Sequence, residues 1–169
     1  MSKKLRGQGF REDLSDGAPI CRWVTNDVIL DVMPTDSKIL GFGNRWYETA
    51  AANSKIIQLP ANMKIRMVSA PYFLITKLEA FEGRGGGDYL SSHDIEDIIA
   101  VLDGRSEIVD EVKQEALDFV RELSHRFKNL LNDNRFVDAV SGHLPADNTS
   151  QSRVTVVLNR IKQLVEEAL

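Results

Sequence analysis

One cysteine, Cys21, stands in the 169 residues, so no disulfide can form within the chain. No apolar run approaches the roughly 20 residues that a membrane-spanning helix requires. The basic start, Met1-Ser-Lys-Lys-Leu-Arg6, has no apolar stretch behind it and so lacks the form of a signal peptide. With these features the lone thiol points to a reducing cytoplasm. Histidine is scarce, with 3 in the chain, and no Cys/His pair has the spacing of a zinc site. Internal repeats are missing, and the one low-complexity tract is the short cluster Gly83-Arg-Gly-Gly-Gly87. Excess positive charge is missing too. The formal net charge is −4, which argues against a global electrostatic partnership with nucleic acid and leaves room only for a local basic patch.

What is present is an ordinary globular composition, 43 % hydrophobic and 27 % charged. The length suits one domain, or a domain with an appendage. Residues 2–8 read as the last turns of a helix ended by Gly7 and Gly9. Residues 20–25 and 28–33 are β-rich runs separated by Asn26-Asp27, a polar pair suited to a tight hairpin. The second run, Val28-Ile-Leu-Asp-Val-Met33, is almost continuously apolar, the pattern of a strand buried on both faces. A short helix is expected over 43–53, and strands over 55–59 and 64–68. Ser69-Ala-Pro71 signals a helix start, with the helix running to about Phe81 before the glycine cluster breaks it. A second helix starts near Ser91 or Ser92 and ends at Gly104. Beyond residue 105 helices are expected over 107–132, 134–141 and 150–168, with Val154–Leu158 ambiguous between helix and strand. The fold class is therefore α/β, a mixed sheet with helices over 1–104 and a C-terminal helical region over 105–169.

Several residues stand out against this background. Asp31 interrupts an apolar strand, where an ionised carboxylate is costly unless it is paired or bound to metal. The alternative is a strand-end carboxylate that faces water or meets an arginine such as Arg22. Lys77 falls on the helical face marked by Phe73, Leu74, Leu78 and Phe81. It either extends its amine to the edge of that face or serves a buried anion. Asp94 and Asp97 share one face of the next helix. Ser91-Ser-His-Asp94 also fits a capping box, in which the acid complements the helix dipole. The glycine cluster lacks a Gly-Lys-Ser/Thr ending and is not a P-loop. It reads as a flexible connector, in which Arg84 is a candidate phosphate contact.

Taken together, four segments resemble a bacterial branch of the AbiEii/AbiGii-type nucleotidyltransferases, a family similar to the polymerase-β superfamily. They are Leu30-Asp-Val-Met-Pro-Thr-Asp36, Ile39-Leu-Gly-Phe-Gly-Asn-Arg-Trp-Tyr47, Ser69-Ala-Pro-Tyr-Phe-Leu-Ile-Thr-Lys-Leu-Glu-Ala-Phe81 and Ser92-His-Asp-Ile-Glu-Asp-Ile98. The resemblance covers about residues 9–104. It implies transfer of a nucleotide from a nucleoside triphosphate (NTP) with magnesium as cofactor, because two divalent ions stabilise both the attacking and the departing oxygens at the α-phosphate. It implies Asp31 as the third catalytic and metal-binding carboxylate. Lys77, within Lys77-Leu-Glu-Ala80, would be the family's nucleotide-binding cation, and Arg84 of the glycine cluster, outside the matched motifs, is the second candidate for nucleotide binding. Asp94 and Asp97 would be the later Asp-x-x-Asp pair, the first a candidate base or structural partner. The acceptor would be a tRNA, a protein hydroxyl or a small molecule, and a toxin role would bring an antitoxin partner.

The family pattern opens with a strand, a Gly-Gly or Gly-Ser turn and a helix, followed by a strand carrying Asp-x-Asp. Nothing before Gly7 matches it, and Glu12, Asp13 and Asp16 fall after the place where it belongs. The resemblance therefore implies a chain that begins inside the helix following that segment. Asp31 alone would not hold two metals, and such a chain would be inactive unless the acids came from elsewhere. A sheet without its central strands would expose an apolar edge, and exposed edges tend to pair, so a homo-oligomer is expected. The competing expectation is a non-catalytic binding or scaffold protein built on the same fold.

Overall fold

The computed structural model describes residues 2–36, 38, 43–84 and 86–166. Residues 39–42 of the second resembling segment, Gly85 of the glycine cluster and the end of the last expected helix, 167–168, lie outside the described residues. The chain forms two compact units, Met1–Asn44 and Arg45–Leu169. The change in pattern at residue 105 thus falls inside the second unit. The last described strand ends well before it, at Met67, and the helices on either side of residue 105 share one core.

In the first unit, helix α1 (Ser2–Gly7) is followed by Gly9 in the left-handed region at φ 84°, and the chain turns into strand β1 (Arg11–Glu12). Strands β2 (Arg22–Val24) and β3 (Ile29–Asp31) complete an antiparallel sheet in the order β1-β2-β3. The expected hairpin is present: Trp23 lies opposite Leu30, and the Thr25 N–H donates to the Val28 carbonyl at 2.9 Å across Asn26-Asp27. The expected burial of the 28–33 run is not. Val28 is 49 %, Ile29 68 % and Leu30 37 % exposed, while the buried residues of this hairpin are Cys21 and Trp23. An apolar run signals a doubly covered strand only when layers exist on both faces, and the described elements of this unit do not cover β3.

The second unit opens with helix α2 (Tyr47–Ala52), shorter than the expected 43–53. Strands β4 (Lys55–Gln58) and β5 (Lys64–Met67) form a separate antiparallel hairpin, so the described strands make two antiparallel sheets rather than one mixed sheet. Both helices and strands are present, as the α/β class requires. Helix α3 (Ala70–Arg84) carries Pro71 in its first turn, where no intrahelical N–H is needed. It passes through Gly83 and ends only at Arg84, because one helical glycine costs about 1 kcal/mol and the packed face of the helix offsets that. Gly86 and Gly87, at φ 57° and 77°, then turn the chain toward helix α4 (His93–Gly104).

The long helix expected over 107–132 is two helices, α5 (Ile108–Lys113) and α6 (Leu117–Leu131). Neither glycine nor proline marks the break; Ala116 adopts an extended ψ of 140°. This redirects the chain, so that α5 packs on α3 and α6 lies along the last long helix. Helix α7 (Asn134–Ala139) tightens into a 3-10 turn over Val140–His143, short helix α8 (Asn148–Ser152) follows, and α9 (Val154–Glu166) settles the ambiguous 154–158 as helix. No helix among the described residues is long and apolar enough to cross a membrane.

One core unites α2 to α9. Leu74, Ile75 and Leu78 of α3 meet Ile95, Ile98, Ile99 and Leu102 of α4, and Leu123 and Phe127 of α6 meet Val157, Ile161 and Leu164 of α9. Polar bonds mark the seams: Ser124 donates to the Leu164 carbonyl, and Arg160 donates to the Leu102 and Asp103 carbonyls at the C-terminal end of α4. Phe127 is wholly buried. Phe127→Ala is expected to lower unfolding free energy by about 3–5 kcal/mol in urea denaturation, through lost burial and the cavity left behind.

Candidate functional site

Four of the five residues singled out in the sequence meet at the seam between α3 and α4. The two helices run antiparallel, since Arg84 at the end of α3 reaches Asp94 near the start of α4, and Lys77, two turns earlier, reaches Asp97. Asp94 is the pivot. Its carboxylate accepts from Arg84 Nε at 3.1 Å, from Arg84 Nη2 at 2.9 Å and from Lys77 Nζ at 3.2 Å. Lys77 also pairs with Asp97 at 2.5 Å. The Asp94 side chain is 6 % exposed and that of Arg84 is 66 % exposed, so the cluster reaches from the core to the surface. Two cations and two carboxylates make it formally neutral.

Local sequence explains the placement. The N-cap of α4 is Ser92, whose Oγ accepts from the Ile95 N–H at 3.3 Å; Ser91 instead sits in a turn held by Asp88. This shifts the expected capping box by one residue. Asp94 does not reach back to the cap, and turns toward α3. Lys77 does not extend alone to the rim of its face. It lies half-buried beside Phe73, which the fold leaves outside the buried core; its amine is 5.6 Å from that ring centroid, and its charge is spent on two carboxylates. Burial works against the charge on both partners. The hydrogen bonds outweigh it, holding Asp94 below the usual carboxylate range and Lys77 above the usual amine range.

Beside this cluster an open cleft of about 380 Å³ is lined by Arg84, Asp88, Ser91, Ser92, His93 and Asp94. That volume is at the small end of ligand-sized clefts. Arg84 commits Nε and Nη2 to Asp94, and among the described residues its Nη1 has no partner. An arginine held along one edge by a carboxylate presents the other edge, pre-oriented, to an incoming anion.

Asp31 belongs to the other unit. It forms a two-bond pair with Arg22 across the β2–β3 register, Nε to Oδ1 at 2.8 Å and Nη2 to Oδ2 at 2.9 Å. The arginine hydrogen bonds hold its carboxyl below the usual range. Both carboxylate oxygens are thus engaged by a cation. Among the described residues no group of three or more His, Cys, Asp or Glu side chains is placed to hold a metal ion. The donor set does not fit the magnesium centre that the resemblance implies.

A second polar cluster escaped the sequence reading. Arg126 on α6 is 7 % exposed and is bound by three carboxylates: Glu122 at 2.9 Å, Glu79 at 2.7 Å and Glu82 at 2.9 Å. Arg45 joins the same group through Glu79 and Glu122. The available signal was Arg126 between Leu123 and Phe127 on an apolar face, with Glu122 four residues before it. The cluster ties α3 to α6 on the side of α3 that Glu79 and Glu82 occupy.

Comparison with protein-family models, with curated proteins and with solved structures finds no match to this chain.

Two outcomes test the seam. Asp94→Asn removes the charge that two cations share, and it is expected to cost about 1–2 kcal/mol in urea denaturation, modest because Arg84 is exposed to solvent. Since the native carboxyl titrates below its ordinary value of 3.8, its contribution is fully present above that pH and is lost as pH falls through the lowered native value. The stability gap between wild type and Asp94→Asn should therefore hold from neutral pH down to about pH 4 and narrow as the pH falls further.

Proposed function

We propose that this chain is a nucleotidyltransferase-like protein whose α3–α4 seam receives the phosphate tail of a nucleoside triphosphate. The observation that carries this is the convergence of Lys77, Arg84, Asp94 and Asp97, from two motifs separated in sequence, into one cluster at the mouth of a cleft. Arg84 contributes the free edge of its guanidinium, and the Ser91 and Ser92 hydroxyls line the same wall. Lys77 stands behind Asp94 as the second positive charge. Asp94 holds both cations in place and is a positioning residue.

The reaction that the resemblance implies is attack by an acceptor oxygen on the α-phosphorus, with pyrophosphate leaving. The acceptor belongs to a tRNA, a protein hydroxyl or a small molecule, and an antitoxin would be the regulatory partner in the cytoplasm. Magnesium would stabilise the charge that develops on the triphosphate. Because the described carboxylates do not fit that ion, the roles assigned to this chain's residues are limited to nucleotide recognition. Asp31 takes no role as a metal ligand while Arg22 holds both of its oxygens.

A second function is favoured by a specific observation: every carboxylate in the cluster is already neutralised by a cation. A seam closed in this way also serves a non-catalytic binding or scaffold protein, as a clamp between helices.

Titration calorimetry with each of the four ribonucleoside triphosphates, with and without magnesium, separates the two. Saturable binding weakened about tenfold by Arg84→Ala supports nucleotide recognition, tenfold being near the loss of one charge-assisted bond. Transfer of label from an α-labelled triphosphate, lost in Arg84→Ala, would assign catalysis to the same site. The absence of binding at millimolar nucleotide would overturn the proposal in favour of the scaffold.

A further inference from the structure

The hairpin β4–β5 is a basic ribbon in an acidic chain. It carries Lys55, Lys64 and Arg66, and no Asp or Glu occurs between Glu48 and Glu79. All four residues of β5 are exposed. Ile56, Met63 and Met67 are 64 %, 59 % and 49 % exposed. An exposed strand with apolar side chains and an unpaired edge is a template for another strand. Strand β3 in the first unit has the opposite character. It exposes Val28, Ile29, Leu30 and Met33. Its flanks hold Asp27, Asp31 and Asp36, and no Lys or Arg occurs between Arg22 and Lys38.

The main-chain geometry of the two edges matches as well. In β3 the Val28 carbonyl and the Val32 N–H face β2. By the alternation of an antiparallel ladder, the main-chain groups of Ile29 and Asp31 face the free edge. In β5 the Met63 carbonyl accepts from the Leu59 N–H, so Met63, Ile65 and Met67 face β4 and the main-chain groups of Lys64 and Arg66 face outward. Among the described residues Lys64 and Arg66 have no carboxylate partner; Arg66 donates to Ser54.

We propose that β3 of one copy pairs with β5 of a second copy. Ile29 and Asp31 then meet Lys64 and Arg66. The pairing satisfies the main-chain groups of the two edges that meet, gives the exposed apolar side chains cross-strand neighbours and sets acidic flanks against basic ones. It is independent of nucleotide binding at the α3–α4 seam.

Sedimentation equilibrium of the full chain over a micromolar concentration series, at low and high salt, tests this. Reversible self-association that weakens with salt is expected. Lys64→Glu with Arg66→Glu should weaken the association at least about tenfold by like-charge juxtaposition. The exchange Arg22→Glu with Asp31→Arg keeps the ion pair within β2–β3 while reversing the edge charge, and should weaken it similarly. Mixing the two double variants should restore association, through the β5 edge of one and the β3 edge of the other. Circular dichroism confirms that each remains folded, and if a variant unfolds, the wild-type concentration and salt series decides alone. A wild-type chain monomeric throughout that series would overturn the proposal, as would an association indifferent to salt or to both reversals.

Discussion

A buried carboxylate needs a compensating cation, and much of the second unit is arranged around that need at Asp94. Burial of this group favours the neutral acid, so the fold must present it with donors or lose the charge. Arg84 and Lys77 supply them, one from the end of α3 and one from its middle. Meeting both demands aligns α3 antiparallel to α4, and that alignment sets the apolar stripes of the two helices against each other. The contact is also where every chemically suggestive residue of this unit collects. The same electrostatic requirement therefore shapes the packing and creates the candidate site.

Arg126 repeats the principle with the charges reversed. A buried guanidinium is surrounded by Glu79, Glu82 and Glu122, and it joins α3 to α6. Removing one member of such a group strands the others, so these clusters specify which helix faces meet more than they add net stability. Helix α3 carries both: Lys77 and Arg84 face α4, and Glu79 and Glu82 face α6. It is the element on which the helical unit is assembled. An anion entering the cleft beside Arg84 would thus bind at a place where the fold is already committed to one geometry, the condition under which recognition costs least.

Magnesium-dependent transfer asks for something different, converging carboxylates free of cations. The described acids do the opposite. Asp31 is closed by Arg22, and Asp94 and Asp97 are closed by Lys77 and Arg84. What the seam offers the proposed chemistry is Arg84, held by Asp94 at the wall of the cleft.

Much of the local structure was legible in the residues. Asn26-Asp27 marked the β2–β3 turn, Ser69-Ala-Pro71 the start of α3, and Gly104 the end of α4, because turn and cap chemistry act over a few residues. Lys77 was visible as a charge on an apolar face, and Asp94 as one of two acids sharing a face in the first turns of the next helix. Their partnership with each other was not, since periodicity places a side chain on a face without saying what that face meets. The exposure of β3 was hidden too: an apolar run states what a strand would gain from burial, and only the surrounding layers decide whether it receives it. The break at Ala116 has no local marker at all and follows from α5 and α6 finding different partners. Thus sequence alone determined where elements begin, end and carry charge, which is short-range chemistry. Tertiary structure alone decided which charges neutralise one another and which apolar surface stays open, because both depend on contacts between residues far apart in the chain.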